Sequence, residues 1–428
     1  MRIGGRARQA RRFLFCFAGG YGHFHPLAPL ARGLEAAGHD VAFAVTPGMR
    51  SVVESAGFTV FPLVGKLAED PEYQRIKARV RSMPSGLDAE LFNYTHVFCG
   101  VAPRLRAPEL VAIARSWRSD MLIRDAAEYG AVIAAEHLGL PHAVVAFAAA
   151  LHTMTIFERE AAAQLDPLRQ QWGLPPDPSL ASLYRYLYLA YSPPTFGLCD
   201  VSPVASQRPG IPHTAGDIPL ATRFFRPDIF DNAGDERLPE WVAALPERPT
   251  IYVTLGTEIA REPEFYPSVP RTIIAGLRDA PVNLIVTLGR DGDPADFDPQ
   301  PANAHIERYI PQSLLLPHCD LMVMHGGSNS LLAALDAGLP MVAIPLIADQ
   351  FFNAHVLREL RLGQVVAHER LNPESIRGAV DDVLADPLYR DNVRRLQAEM
   401  RALPGQRRAV QLIEWVAAER MPVSDDSR

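Results

Sequence analysis

The chain has only four cysteines in 428 residues, and Cys16, Cys99, Cys199 and Cys319 stand far apart. No CxxC pair exists, so neither a zinc ribbon nor a dithiol redox motif is written here. The simplest reading is four reduced thiols in a cytoplasmic protein, with no metal site and no cofactor. Long apolar runs are missing too. None approaches the ~20 residues of a bilayer-spanning helix, so stable membrane insertion is not expected. Arg11 and Arg12 precede a short apolar stretch and superficially resemble an export signal. The stretch ends in Gly19-Gly20-Tyr21-Gly22-His23 rather than a small-residue cleavage site, so it reads as a first strand. Positive charge is in short supply: 42 Lys and Arg against 49 Asp and Glu give −7. Without a basic stripe, a nucleic-acid partner is not expected.

What is present is an α/β pattern long enough for two domains. Residues 13–17 form a continuous apolar run, as in a buried parallel strand. A glycine loop follows, then a helix opening near Pro26 and stopped by Gly38, then a strand over 41–45. Strands are expected again at 121–123, with Asp125 just after, and at 142–147, with a helix at 131–137 between them. The second half repeats the theme, with strands at 250–255, 282–288, 306–309, 321–324 and 341–345. Asn372-Pro373 caps a later helix. The expected organisation is an N-terminal domain (1–225), a polar linker (226–240), a C-terminal domain (241–405) and a final helix (406–428) that could pack on either domain. Residues 66–99 and 151–194 have weak periodicity. They read either as helices lining a pocket for a bulky apolar ligand or as plain covering helices. Two doubly wound domains imply a cleft, with ligands beyond the carboxyl ends of the strands.

The densest chemistry lies in Met324-His325-Gly326-Gly327-Ser328-Asn329-Ser330. An apolar strand runs into two glycines and a set of side-chain donors, and a helix-like segment begins at Leu331. Unpaired N–H groups and a positive dipole end suit an anion, here a diphosphate.

These residues carry a resemblance. Tyr309-Ile310-Pro311-Gln312, then His325 through Ser330, then Asp349-Gln350-Phe351-Phe352-Asn353-Ala354 form an ordered set. With Gly22-His23-Phe24-His25-Pro26, the chain resembles the nucleotide-sugar-dependent glycosyltransferases of the two-Rossmann-domain (GT-B) fold, in their bacterial natural-product branch. The resemblance implies two Rossmann-like domains facing across a cleft. It implies His23 as general base and Asp125 as the acid that orients it. His325, Gly327, Ser328, Asn329, Ser330 and Thr257 would surround the diphosphate. Tyr309 would stack on the base, with the backbone of Ile310 and Gln312 on its edge. Asp349 and Gln350 would hold sugar hydroxyls.

The implied reaction is inverting transfer, without a metal, of a sugar from a dTDP-sugar to a hydroxyl of an apolar natural product. The partners are then small molecules, and the protein a monomer or homodimer. A UDP-sugar-dependent transferase or a sugar-nucleotide epimerase of the same fold are the alternatives. UDP-sugar relatives often carry Glu three residues after the final Ser, on the ribose hydroxyls. Ala333 stands there, which favours deoxyribose. Plainer readings remain: Asp125 as a helix cap, Asp349 as an N-cap, His25 as a loop histidine without a catalytic role.

Overall fold

The computed structural model describes residues 9–84, 86–158, 160–206, 218–228, 236–257, 259–289 and 291–424. In the first half, β1 (Arg12–Cys16), β2 (Asp40–Val45), β3 (Thr59–Pro62), β4 (Met121–Asp125), β5 (His142–Val145), β6 (Leu187–Ala190) and β7 (Thr222–Phe224) make one sheet in the order β3-β2-β1-β4-β5-β6-β7. In the second half, β8 (Thr250–Thr254), β9 (Asn283–Thr287), β10 (Ala304–Glu307), β11 (Leu321–Met324), β12 (Met341–Ala343) and β13 (Gly363–Val365) order as β10-β9-β8-β11-β12-β13. Every pairing is parallel. This explains the unbroken apolar runs: helices cover both faces of a parallel sheet, so the central strands β1, β4, β5, β8, β9 and β11 are buried on both sides, while the edge strand β3 keeps exposed residues.

In each sheet the strand order reverses beside the first strand, between β1 and β4 and between β8 and β11. The loops leaving these strands part company there and open a crevice. His23 follows β1, Asp125 ends β4, Thr257 follows β8 and His325 follows β11. The topology thus carries all four to the two switch points.

Several boundaries differ from expectation. Asp125 is the last residue of β4 rather than a loop residue, and is therefore 1% exposed. The helix expected at Leu331 begins at Ser328, so Ser328, Asn329 and Ser330 form its first turn. A separate one-turn helix, Tyr21–Phe24, precedes the longer Leu27–Ala36 and carries His23. β6 was hidden in the weakly periodic stretch 151–194, and β7, three residues just before the expected linker, was not anticipated. Asn372 does cap its helix, reciprocally with Ser375. Part of the expected linker, including Asp231, Asn232, Gly234 and Asp235, lies outside the described residues.

The final helix, Gln406–Glu419, places Val410, Ile413 and Val416 in the core that holds Phe13, Leu30 and Leu34. Another core is shared between the halves: it holds Tyr94 and Phe157 from the first together with Phe352 and Leu331 from the second. Phe157 and Phe352 meet edge to face at 5.6 Å.

Candidate functional site

The first wall of the cleft is organised by charge. Gly19 and Gly20 adopt φ 119° and 85° at the end of β1, a turn that side chains resist. This turn aims the Tyr21–Phe24 helix back over β4. His23 Nδ1 and Asp125 Oδ2 are in direct hydrogen bond. The ring also lies 4.7 Å from that of Phe147. Burial would lower the imidazole pKa, but the charge and hydrogen bond of Asp125 outweigh it, with Asp349 adding from across the cleft, so the pKa is raised. The other face of the ring borders the cleft. A carboxylate on Nδ1 fixes the tautomer with Nε2 as proton acceptor, the arrangement a general base needs.

The second wall is organised by backbone. No side chain caps the Ser328–Ala337 helix. Its first intrahelical bond of this turn runs from Leu331 N to Gly327 O, at 3.0 Å. The preceding N–H groups and the positive end of the helix dipole are therefore available to an anion. His325 Nε2 lies against two glycines: a Cβ at Gly327 would come within 2.4 Å of it, and one at Gly256 within 2.8 Å. Burial pushes the His325 pKa down to about 4, the Thr254 carbonyl offsetting only part of this. The ring is therefore neutral at pH 7. It acts on an anion as a dipole, and full positive charge arrives only if the ligand brings a proton with it.

Every nominated residue except Asp125 lines one cleft of about 480 Å³ between these walls. Asp125 lies behind His23, so it reaches the cleft only through the imidazole. The Ile310 side chain is 2% exposed and belongs to the core, leaving its backbone to the cleft. Tyr309, Gln312 and Thr257 line the cleft together with Tyr252 and Thr287, whose hydroxyls are 2.8 Å apart. Gln350 Oε1 accepts from Leu346 N and Ile347 N at 2.9 and 3.0 Å. Its amide carbonyl is thus spent on the loop, and its NH2 group remains for a ligand.

The structure corrects three expectations. Ser328 lines the cleft, but its hydroxyl is committed: it donates to Asp349 Oδ2 at 2.7 Å and accepts from Ala149 N at 2.7 Å. Only its backbone N–H is left for a diphosphate. Asp349 is no side-chain N-cap, although it occupies the N-cap position of Gln350–Glu359. Burial raises its pKa, while the Ser328 and Asn353 hydrogen bonds pull the other way. Finally, residues 66–99 do not line the cleft, and from 151–194 only Tyr191 does. Their aromatic residues Tyr94 and Phe157 stack on each other at 4.6 Å inside the shared core.

Sequence reasoning gave no site role to Asn353. It is fully buried, and Nδ2 lies 2.9 Å from Gly326 O, 3.0 Å from Ser328 Oγ and 2.9 Å from Asp349 Oδ2. Its Oδ1 accepts from Ala150 N of the other half at 3.3 Å. A polar residue four positions after Asp349 on one helix face was the available signal. A second link crosses the cleft directly, from Asn329 Nδ2 to Gly22 O at 3.3 Å. The anion loop and the histidine loop are therefore one hydrogen bond apart.

Comparison with known proteins agrees with this architecture. Residues 271–415 match the family described as Erythromycin biosynthesis protein CIII-like, C-terminal domain. The chain is 28% identical to tylactone mycaminosyltransferase of Streptomyces fradiae, covering 89% of this chain and 87% of that protein. It is 26% identical to 4'-demethylrebeccamycin synthase of Lentzea aerocolonigenes, covering 94% and 99%. Among solved structures, the glycosyltransferase SsfS6 of Streptomyces sp. SF2575, complexed with thymidine diphosphate, superposes with a TM-score of 0.72 at 23% identity, over 95% of this chain and all of that one. At that identity the likeness is one of fold, and the fold is GT-B: two Rossmann-like domains facing across a cleft.

Proposed function

We propose that this chain, which resembles the bacterial natural-product glycosyltransferases over nearly its whole length, transfers a sugar from a dTDP-sugar to a hydroxyl of an apolar natural product with inversion. The observation that carries the reading is the pairing across one cleft of a His–Asp dyad with an uncapped helix N-terminus, tied together by Asn329 and Gly22.

In this mechanism His23 Nε2 takes the proton from the acceptor hydroxyl as its oxygen attacks the anomeric carbon. The bond from that carbon to the diphosphate breaks, and the electron pair leaves with dTDP. Asp125 holds the imidazole and stabilises the imidazolium that forms. A single in-line attack from the His23 side, opposite a diphosphate held on the other wall, inverts the centre. Charge on the leaving diphosphate is met by the N–H groups of the Ser328–Ala337 helix, the Asn329 and Ser330 side chains and, once the ring takes up a proton, the second N–H of His325. This supports transfer without a divalent cation, which activity in the presence of a chelator would test. The NH2 of Gln350 and the free carboxylate oxygen of Asp349 serve the sugar hydroxyls.

The donor follows from the nucleoside end. Ala333 is 2% exposed and faces the core, whereas Leu332 borders the cleft. The position expected to meet the ribose is therefore turned away from the cleft, and the dTDP reading rests instead on Leu332, whose apolar side chain gives a ribose 2′-hydroxyl no hydrogen-bond partner. Thermal unfolding with dTDP, with UDP and with neither tests this. At ~100 times its dissociation constant a ligand adds roughly 2.7 kcal/mol to folding. The expected result is a clearly larger upward shift with dTDP. A larger shift with UDP would replace the donor, and no shift with either would remove the nucleotide-sugar reading.

A further inference from the structure

Behind the His–Asp dyad lies a buried ion pair that the mechanism above does not use. Arg106 sits on the Ala102–Trp117 helix and is 7% exposed; Glu128 precedes the Tyr129–His137 helix and is 1% exposed. Arg106 Nη1 donates to Glu128 Oε2 at 2.5 Å. The other guanidinium nitrogen, Nη2, donates to the Ala18 carbonyl at 2.9 Å. Ala18 is where the chain leaves β1 toward His23, and its own N–H points at Asp125 Oδ2, at 3.5 Å. Glu128 is in turn anchored: its Oε1 accepts from Gly130 N at 3.1 Å. Gly130 has no room for a side chain, since a Cβ would lie 3.0 Å from Glu128 Oε1 and 3.2 Å from Arg106 Cβ. The two helices are thus packed tightly enough to bring the guanidinium to the foot of the histidine loop.

We propose that Arg106 is a positioning residue for the base: by holding the Ala18 carbonyl while anchored on Glu128, it fixes the backbone that sets His23 on Asp125. This rests on the reading of His23 as the base.

The physical case has two parts. A buried ion pair is expensive to desolvate and is weak evidence for stability by itself. One that also holds the residue leading into a glycine turn has a second reason to be there. The turn through Gly19 and Gly20 has little intrinsic rigidity, so the imidazole's place depends on what grips either side of it. Ala18 is the last residue before that turn, and it is gripped through both its N–H and its C=O. The second part is electrostatic. Asp125 and Glu128 are two carboxylates close enough to act on one another, and Arg106, paired with Glu128, is the balancing cation. The charged and titratable groups facing His23 are Asp125 from β4, Arg106 from its helix and Asp349 from across the cleft. Those facing Glu128 are Arg106 and Asp125, and burial already raises the Glu128 pKa.

The test uses the full chain and three variants: Arg106→Met, Arg106→Lys, and the double change Arg106→Met with Glu128→Gln. The double variant removes the stranded carboxylate, so it separates holding Ala18 from neutralising Glu128. Folding is read from the thermal shift with dTDP, whose proposed site lies on the other wall. Geometry at the base is read from the downfield proton NMR resonance of the His23 Nδ1–H, which needs no substrate. We expect the double variant to fold and bind dTDP, to lose that resonance, and to lose kcat on the order of 10²-fold with little change in the donor KM. Arg106→Lys keeps the charge and one donor, and is expected to recover part of kcat. A double variant with wild-type resonance and kcat would overturn the proposal, showing that Arg106 only partners Glu128. If the Arg106→Met and double variants both fail to fold, an Arg106→Lys variant that folds with resonance and kcat unchanged would overturn it equally. If wild type transfers no sugar from any donor, the functional reading fails, while the resonance still decides the clamp.

Discussion

The two walls of the cleft come from the same plan, a parallel sheet whose strand order reverses beside its first strand, yet they handle charge in opposite ways. The first wall buries titratable groups and partners them: His23 with Asp125, Arg106 with Glu128, and Glu158 with the neutral hydroxyls of Tyr129 and Tyr184, both at 2.7 Å. The second wall meets the cleft with backbone N–H groups, glycines and a neutral histidine. Under the proposed mechanism, the difference follows from what each wall must do. A base has to keep its proton affinity in a dry place, and only a fixed counter-charge does that. An anion site has to stay open, and a resident cation or anion would either need its own partner or compete with the ligand. Uncapped N–H groups are the polar donors that carry no net charge of their own.

The largest break in this comparison is His23→Ala. General-base catalysis contributes typically ~10²–10⁴-fold, so kcat should fall by that factor with dTDP binding intact. Retained transfer would move the base elsewhere, and His25, which also borders the cleft, would be next in line.

A pH titration of stability separates the walls next. Burial raises the Glu158 pKa to about 7, against 4.5 for a free glutamate. The proton-bound form is favoured by folding, so this stability is fully present below pH ~4.5 and is lost as pH rises through about 7. A gap of about 2.5 units corresponds to about 3 kcal/mol. Glu158→Gln keeps an acceptor for the two tyrosines and removes the ionisation. Its unfolding free energy should therefore vary less between pH 5 and pH 8 than that of wild type. Identical slopes would mean that Glu158 does not titrate in this range.

Gly327→Ala tests the second wall. The new Cβ would sit 2.4 Å from His325 Nε2. The ring must shift, at a cost of about 1–3 kcal/mol for overpacking. The dTDP thermal shift should shrink while the His23 Nδ1–H resonance stays. Loss of both would show that the walls are coupled through Asn329 and Gly22 more strongly than one 3.3 Å hydrogen bond suggests.

The smallest effect is proton uptake. The diphosphate favours the imidazolium form of His325, so the pKa of about 4 rises on binding. Between the two values binding takes up a fraction of a proton, and dTDP affinity increases as pH falls toward 4. Calorimetry in buffers of different ionisation enthalpy reads this directly. Uptake that vanishes in His325→Gln assigns it, and no uptake in wild type would leave the ring neutral in the complex.

Much of this was legible in the residues. Continuous apolar strands, Gly38 after a helix and Pro373 at the start of another placed elements within a few positions, because burial on both faces and cap chemistry are local signals. The strand, two glycines and helix start around His325 were legible for the same reason, since they lie within ten residues, whereas the wider set from Tyr309 to Asn353 was visible only as a family resemblance. Ser328 shows the limit. In sequence it is one more hydroxyl beside Asn329 and Ser330. In the fold it faces Ala149, 179 residues away, and its lone pairs and proton are already taken. The stretches 66–99 and 151–194 show the same limit, since their aromatics fill an interface that only the docking of two domains creates.

The sequence alone therefore determined the α/β class, the repeated strand–loop–helix unit and the glycine turn into a helix after β11, all of which are set by neighbours a few positions apart. Only the tertiary structure decided which polar groups were still free. Arg106 reaches Ala18 across 88 positions, Asn329 reaches Gly22 across 307, and Asp349 is held by Ser328 from another loop. Hydrogen-bonding capacity is finite, and whether a donor is left for a ligand depends on partners that chain order does not reveal.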